Sequence, residues 1–269
     1  MTAEQEAKTI QDSTLTAKYF IKGTIHAVTG LHIGGSNLGL SIGGVDAVVL
    51  RNPFNNRPYL PGSSLKGKMR TLLERTEGKI GTKRMGAVIF GPYTNIRDEK
   101  TLIPRLFGIT PEDNKVRPDD KEAAADQPIS RLIVRDCHLT EDSFKRLDKM
   151  QIMDMPYTEV KTEVVIDRIT SRAMPRQLER VPAGADFEMC LVLNLYKMDA
   201  GKEAAYLAKV FEALCLVQDD YLGGKGTRGS GEVKFKIKSV EKKTRENYEK
   251  GEAAQDITSA VTIPDDLKE

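Results

Sequence analysis

Over residues 187–196 every second side chain is large and apolar: Phe187, Met189, Leu191, Leu193 and Leu195. A period of two places all five on one face of an extended strand. A strand this long and this one-sided needs a sheet with one face buried against something else. The next segment of the chain supplies that cover. Leu207, Val210, Phe211, Leu214 and Tyr221 form a buried stripe on a helix over about 202–222. That helix closes at Gly223 or Gly224, where glycine tolerates a left-handed cap, and a last strand runs over 232–240.

The first half of the chain carries a strand from Lys18 to about Thr29 and a helix over 64–77. Leu65, Met69, Leu72 and Leu73 line the helix stripe, with Ser63 or Ser64 as N-cap. Strand character returns at 131–137 and 161–170, and residues 171–184 read as an arm or turn before the 187–196 strand. The order strand, helix, strands, helix, strand predicts an α+β fold, with helices on one face of an antiparallel sheet. The ferredoxin-like (RRM-like) split βαβ is the natural candidate. Residues 1–17 are expected to be flexible, the 109–127 stretch to be a surface insertion without usable period, and 241–269 to be a charged tail that need not pack.

Composition narrows function mainly by exclusion. Hydrophobic residues make up 39% of the 269 and charged residues 30%, which suits one ordered domain with polar excursions. No apolar run approaches the roughly 18 residues of a membrane span, and no apolar segment follows Met1. Cys137, Cys190 and Cys215 stand far apart with no CxxC, which fits a reducing cytoplasm and argues against a cysteine-rich zinc site. His26, His32 and His138 form no metal-ligand pair. A net charge of +2 does not announce a nucleic-acid binder, so such binding must come from local clustering of the 41 lysines and arginines.

That clustering is found in three loops. The first is Pro61-Gly-Ser-Ser-Leu-Lys-Gly-Lys-Met-Arg70. Lys66 and Lys68 are read in the first turn of a helix, where cations are unfavourable, and Gly67 weakens the helix; both costs are explained if a phosphate docks there. The spacing Gly62-x-x-x-x-Gly67-Lys68 mimics a nucleotide-binding loop, but Met69 replaces the magnesium-binding hydroxyl residue, which argues against that reading. The second loop, Gly223-Gly-Lys-Gly-Thr-Arg-Gly-Ser-Gly231, has five glycines that let the main chain approach a polyanion, with Lys225 and Arg228 for charge. The third segment spaces Arg168, Arg172, Arg176 and Arg180 four residues apart along the arm, with apolar Met174 and Pro175 at its expected tip. Such a tip either wedges between stacked bases or packs into a neighbouring core.

Taken in order, Thr29-Gly-Leu-His-Ile-Gly-Gly35, Ile42-Gly-Gly-Val-Asp46, the Pro61–Arg70 segment, Arg105-Leu-Phe-Gly108, Arg131-Leu-Ile-Val-Arg-Asp136, Glu179-Arg-Val-Pro-Ala-Gly184 and the Gly223 loop resemble a known family. It is the backbone subunit of the type III-A CRISPR (Csm) interference complex, of the RAMP superfamily. The resemblance spans about residues 18–240. It implies an RRM-like palm with an inserted lid (about 78–130) and a thumb-like β arm (about 160–186). It further implies copies of the chain stacked as a filament on guide RNA, other Csm subunits including the large polymerase/nuclease subunit, and a target RNA cut near each base pair that the arm displaces. The cutting residue of the family corresponds to Asp46, with a divalent metal ion, Mg2+ or Mn2+, as its cofactor. On residue type alone Asp46 reads as an ordinary turn or strand-start acid.

His32 matches a family position near guide RNA. Ser63, Ser64, Lys66, Lys68, Arg70 and Arg135 are further expected RNA contacts, as are Arg168, Arg172, Met174, Arg176 and Arg180 of the arm and Gly224, Lys225, Gly226 and Arg228 of the glycine-rich loop. Asp136 and Glu163 are expected to partner nearby arginines. Ser230 stands where relatives often carry an aromatic residue, which puts base stacking there in doubt. A non-cutting scaffold, a histidine-based guide-processing ribonuclease and an unrelated RRM-like module remain as alternatives.

Overall fold

The computed structural model describes residues 12–34, 47–81, 91–95, 98, 100–109, 129–150, 153 and 155–268. Along the chain come β1 (Leu15–Ala27), β2 (Tyr59–Leu60), α1 (Gly62–Thr76), α2 (Ile103–Phe107), β3 (Leu132–Val134), β4 (Cys137–His138), α3 (Glu141–Asp148), β5 (Glu159–Ile166), β6 (Ala173–Arg180), β7 (Asp186–Tyr196), α4 (Glu203–Asp219), β8 (Val233–Thr244), α5 (Arg245–Glu249) and β9 (Gln255–Asp256). The main sheet is antiparallel in the order β3-β7-β1-β8-β9. Without β9, that is the second-third-first-fourth order of the split βαβ, as the periodicity predicts.

The alternation in β7 works as expected. Phe187, Met189, Leu191, Leu193 and Leu195 are buried, and in β1 so are Ala17, Tyr19, Ile21, Ile25 and Ala27. On the same face Val233, Phe235 and Ile237 of β8 complete the floor, and α1 and α4 lie on it side by side with Leu65, Met69, Leu73, Val210, Phe211, Leu214 and Val217 fully enclosed. The other face of the sheet carries the polar set, including Lys22, His26, Glu188, Lys234 and Lys236. At one edge Arg131 is 1% exposed and paired with Asp199, which also accepts the Tyr206 hydroxyl. A buried charge is tolerable there because both partners are fully hydrogen-bonded.

Four expectations need correction. Helix α1 begins at Gly62 with Pro61 as N-cap and no side-chain cap, so neither Ser63 nor Ser64 caps it and Lys66 and Lys68 fall in the second turn. Proline preset in an extended conformation ends the preceding strand and starts the helix without a hydroxyl. Residues 173–180, read from the residues alone as an arm or turn, are the strand β6, paired with β5 over eight rungs from Glu159↔Arg180 to Ile166↔Ala173, which agrees with the β arm that the resemblance implies. Within the expected lid, α2 is part of the core, with Ile103 and Leu106 fully buried. The chain after residue 240 also packs. Strand β8 continues to Thr244, β9 pairs with it, Ile263 and Leu267 enter the core, and Lys268 bridges Ile237. The average charge of this tail hides sparsely placed apolar residues, and these are enough to anchor it.

Candidate nucleic-acid interface

Three segments far apart in sequence meet at one end of the sheet. Leu31 bridges Val181, with Leu31 N–H and Val181 N–H each donating to the other's carbonyl at 2.8 Å. This ties the segment after β1 to the root of the β5–β6 hairpin. Gly224 N–H donates to the His32 carbonyl at 2.8 Å, and Gly231 N–H to the Gly30 carbonyl at 3.1 Å, which ties the glycine-rich loop to the same segment. The close fit explains two of its glycines. Gly223 has φ +84°, and a Cβ there would lie 2.2 Å from the His32 carbonyl oxygen; a Cβ on Gly226 would lie 2.0 Å from the Tyr221 ring. The loop is thus held flat rather than left flexible, with Lys225 and Arg228 exposed on it.

His32 sits at the junction, 8% exposed. Its Nδ1 is 2.7 Å from the Glu179 carbonyl oxygen. A carbonyl only accepts, so Nδ1 carries a hydrogen, and Nε2 faces the Gly34 side, 3.4 Å from where a Gly34 Cβ would stand. Glu179, which the sequence marks only as part of a motif, is the hub beneath it. Its buried carboxylate accepts from Val49 N–H (2.7 Å), Thr158 Oγ1 (2.6 Å) and the Arg51 guanidinium, while its own N–H donates to the Ala47 carbonyl at 3.0 Å. Burial pushes this carboxyl up, but the hydrogen bonds from Thr158, Arg51 and Val49 outweigh it and hold it below the usual range. The segment 47–51, which directly follows Asp46, is therefore fastened to the root of the hairpin. Asp46 itself, with the Gly35 and Gly43–Gly44 turns, lies outside the described residues.

The hairpin projects from this junction. Eight rungs at about 3.3 Å each give an arm of about 25 Å. Arg168, Arg172 and Arg176 are exposed and carry no ion pair among the described residues. Arg180, at the root, is engaged by Glu159, and Arg228 by Glu163 at 3.1 Å. Met174 is 59% exposed but faces Val165 in the ladder, one rung below the end, so it is not the tip. The tip is the turn 167–172.

The cations of α1 behave differently from the expectation. Lys66 Nζ donates to Ser130 Oγ (2.9 Å) and the Leu132 carbonyl (2.7 Å), and burial, followed by the Arg70 charge, lowers its pKa. Lys68 pairs with Asp220 at 2.7 Å and lies 3.6 Å from the Tyr221 ring centroid. Arg70 is held by Glu74 and by the Gly108 and Tyr93 carbonyls. The helix N-terminus is also occupied: Gly62 N–H donates to Asp136 Oδ1 at 2.8 Å, so this carboxylate partners a helix end rather than an arginine. Ser63 is exposed and Ser64 half-buried at that end. Arg135 is exposed on a separate cavity of about 850 Å3 on the uncovered sheet face, with Lys234, Lys236 and Lys238. Ser230 is buried, its hydroxyl unpartnered, so nothing at that position offers a stacking surface. Among the described residues no group of three or more His, Cys, Asp or Glu is placed to hold a metal ion, and no helix is long and apolar enough to cross a membrane.

With this geometry in hand, comparison with known proteins is specific. The RAMP superfamily model matches residues 24–234. The chain is 38% identical over 262 residues to the CRISPR system Cms endoribonuclease Csm3 of Methanocaldococcus jannaschii, covering 96% of this chain and 95% of that protein. It is 36% identical over 225 residues to the protein of the same name from Enterococcus italicus, covering 84% and 92%. A chain of the Csm3–Csm4 subcomplex in the type III-A CRISPR-Cas interference complex superimposes with a TM-score of 0.51 at 28% identity, over 90% of each chain. The Methanopyrus kandleri Csm3 crystal structure shares the fold, with a TM-score of 0.52 at 18% identity over 88% of this chain and 80% of that one.

Proposed function

The chain belongs to the RAMP superfamily and to its Csm3 endoribonucleases, and from that premise we propose that it is the backbone subunit of a type III-A effector. In that role it holds guide RNA and cuts the target RNA paired with it. The observation that carries the reading is the junction itself. The glycine-rich loop, the His32 segment and the root of a basic hairpin are locked together by main-chain hydrogen bonds, and the segment that follows Asp46 is fastened to the same hub.

Each part has a physical task. The loop's bare main chain and Lys225 suit a phosphate backbone, which they would meet without regard to base identity. His32 Nε2 suits a contact with an RNA oxygen. The hairpin, with three arginines that carry no ion pair among the described residues, suits a duplex crossing its length. Displacing a nucleotide there swings its 2′-hydroxyl toward the line of the adjacent phosphorus, a geometry that favours scission. Asp46 is the proposed carboxylate at the cut, either accepting the proton or holding a divalent ion, Mg2+ or Mn2+. The described residues do not assemble a metal centre, and the carboxylate of Glu179, whose main-chain N–H donates to the Ala47 carbonyl, is already engaged by Val49, Arg51 and Thr158.

Copies of the chain stacked on one guide, together with other Csm subunits, complete the proposal. The test is an effector assembled with Asp46→Ala. The expected result is unchanged guide content and target binding with loss of a ladder of evenly spaced cuts. Persistence of the ladder would remove Asp46 from the reaction, and loss of guide RNA instead would make it a structural residue.

A further inference from the structure

The cations on the uncovered face of the main sheet are of two kinds. Lys22 is paired with Glu241 at 2.7 Å, and Asp186 is shared by His26 at 2.7 Å and Arg146 at 2.9 Å. Lys234, Lys236 and Lys238 of β8 are exposed, and none carries an ion pair among the described residues. All three line the same cavity of about 850 Å3. Alternate positions on a strand set them about 6.8 Å apart, a repeat close to that of the phosphates in an extended single strand. Of the sheet's own carboxylates on this face, Asp186 and Glu241 are engaged, and Thr24 lies between Glu188 and Lys236 in the register.

Edge protection is the usual reason for lysines on an outer strand, and it does not account for these. The β8 edge is already covered, because Phe235 N–H donates to Gln218 Oε1 at 2.6 Å and Lys268 bridges Ile237. The row also begins where the glycine-rich loop ends. Lys234 follows Gly231 by three positions, and the intervening Glu232 carbonyl accepts from Val28 N–H at 2.9 Å. The exposed Lys225 and Arg228 of the loop are thus continued by the row on β8. An acidic protein segment would have no reason to start at that loop, whereas a basic track leading out of it follows a polyanion backbone without regard to sequence. We propose that Lys234, Lys236 and Lys238 form a rail that carries single-stranded RNA away from the glycine-rich loop, across the uncovered face of the sheet. The inference rests on the function proposed above and adds the unpaired part of the bound RNA as a ligand of this face.

The test compares the full chain with the combined variant Lys234→Gln, Lys236→Gln and Lys238→Gln. Each binds single-stranded RNAs of about 4 and about 16 nucleotides, which suit the loop alone and the loop with the rail. For the longer RNA the slope of log affinity against log salt should be shallower by about 2 in the variant, about 0.7 for each lysine. The shorter RNA should bind both proteins alike, and arginine at the three positions should restore the slope, which ties the loss to charge rather than to folding. Equal slopes on the longer RNA overturn the proposal. So does an equal loss on the shorter one, which would put the lysines inside the loop's own site. Unchanged slopes together with loss of a protein subunit from the assembled effector would give the face to an acidic protein segment instead. Evenly spaced target cuts by that effector test the other reading separately. If wild type makes none while the slope difference persists, the endoribonuclease role falls and the rail stands; cuts without a slope difference do the reverse.

Discussion

The imidazole of His32 hydrogen-bonds the main-chain carbonyl of Glu179 at 2.7 Å, while the side chain of the same Glu179 holds Val49, Arg51 and Thr158. One residue thus orients a candidate RNA contact and fastens the segment next to Asp46. Glu179→Gln is expected to leave the Arg51 guanidinium without its charge partner and to cost about 3 kcal/mol of stability, read from denaturant midpoints.

The same residue predicts a pH effect. The folded-state pKa of Glu179 lies below the ordinary value, which is about 4.3 in an unfolded chain. Its stabilisation is therefore fully present above that value and is lost as pH falls through the lower folded one. Acid titrations monitored by circular dichroism should show wild type losing more stability than Glu179→Gln on going below about pH 4. Parallel curves for the two proteins would show that the carboxylate is not depressed.

Two glycines should respond oppositely to alanine. Gly67 is exposed in α1 with open space around its Cβ direction, so Gly67→Ala should raise stability by about 0.5–1 kcal/mol. If RNA comes close there, guide retention falls even as the melting temperature rises. Gly223→Ala meets both the positive φ and the His32 carbonyl and should cost about 1–3 kcal/mol, with guide RNA lost from the purified complex.

Salt dependence separates the free cations from the engaged ones. Arg172→Ala and Arg176→Ala should each lower the slope of log affinity against log salt for single-stranded RNA by about 0.7. Lys66→Ala should leave the slope unchanged and lower the melting temperature, since its ammonium is bound to Ser130 and Leu132. A slope that falls for Lys66→Ala would mean that this lysine turns to RNA in the complex.

The tail gives a stability test away from the interface. Leu267 is fully buried, and Leu267→Ala should cost about 2–5 kcal/mol. An unchanged denaturant midpoint would show that the segment does not hold the sheet.

The fold was legible because its signals are periodic. The five alternating residues of β7 and Leu207, Val210, Phe211 and Leu214 of α4 state their own burial, although Tyr221 lies past the helix end and is half-buried, and strand and helix order then leave few arrangements. Strand β6 is not legible from periodicity because Pro175 and four charged or amide residues, Arg176, Gln177, Glu179 and Arg180, interrupt any apolar alternation, and a free hairpin exposes both faces. The site was legible as a set of loops but not as a junction. Which cations face outward depends on tertiary partners such as Asp220 for Lys68 and Glu74 for Arg70, and spacing does not reveal those. Glu179 gave no signal beyond its place in a motif, because its role is set by residues 21 to 147 positions away.

The edges of the main sheet carry one more consequence. On one side β9 and the Ile237–Lys268 bridge cover β8, and on the other β3 and the chain up to Thr140 cover most of β7. Within the main sheet that leaves only a short stretch of edge unpaired among the described residues, and the long open edges belong instead to the β5–β6 hairpin. In the proposed assembly, growth would not run through the main sheet, and the nucleic acid would act as the ruler with the protein as its marks.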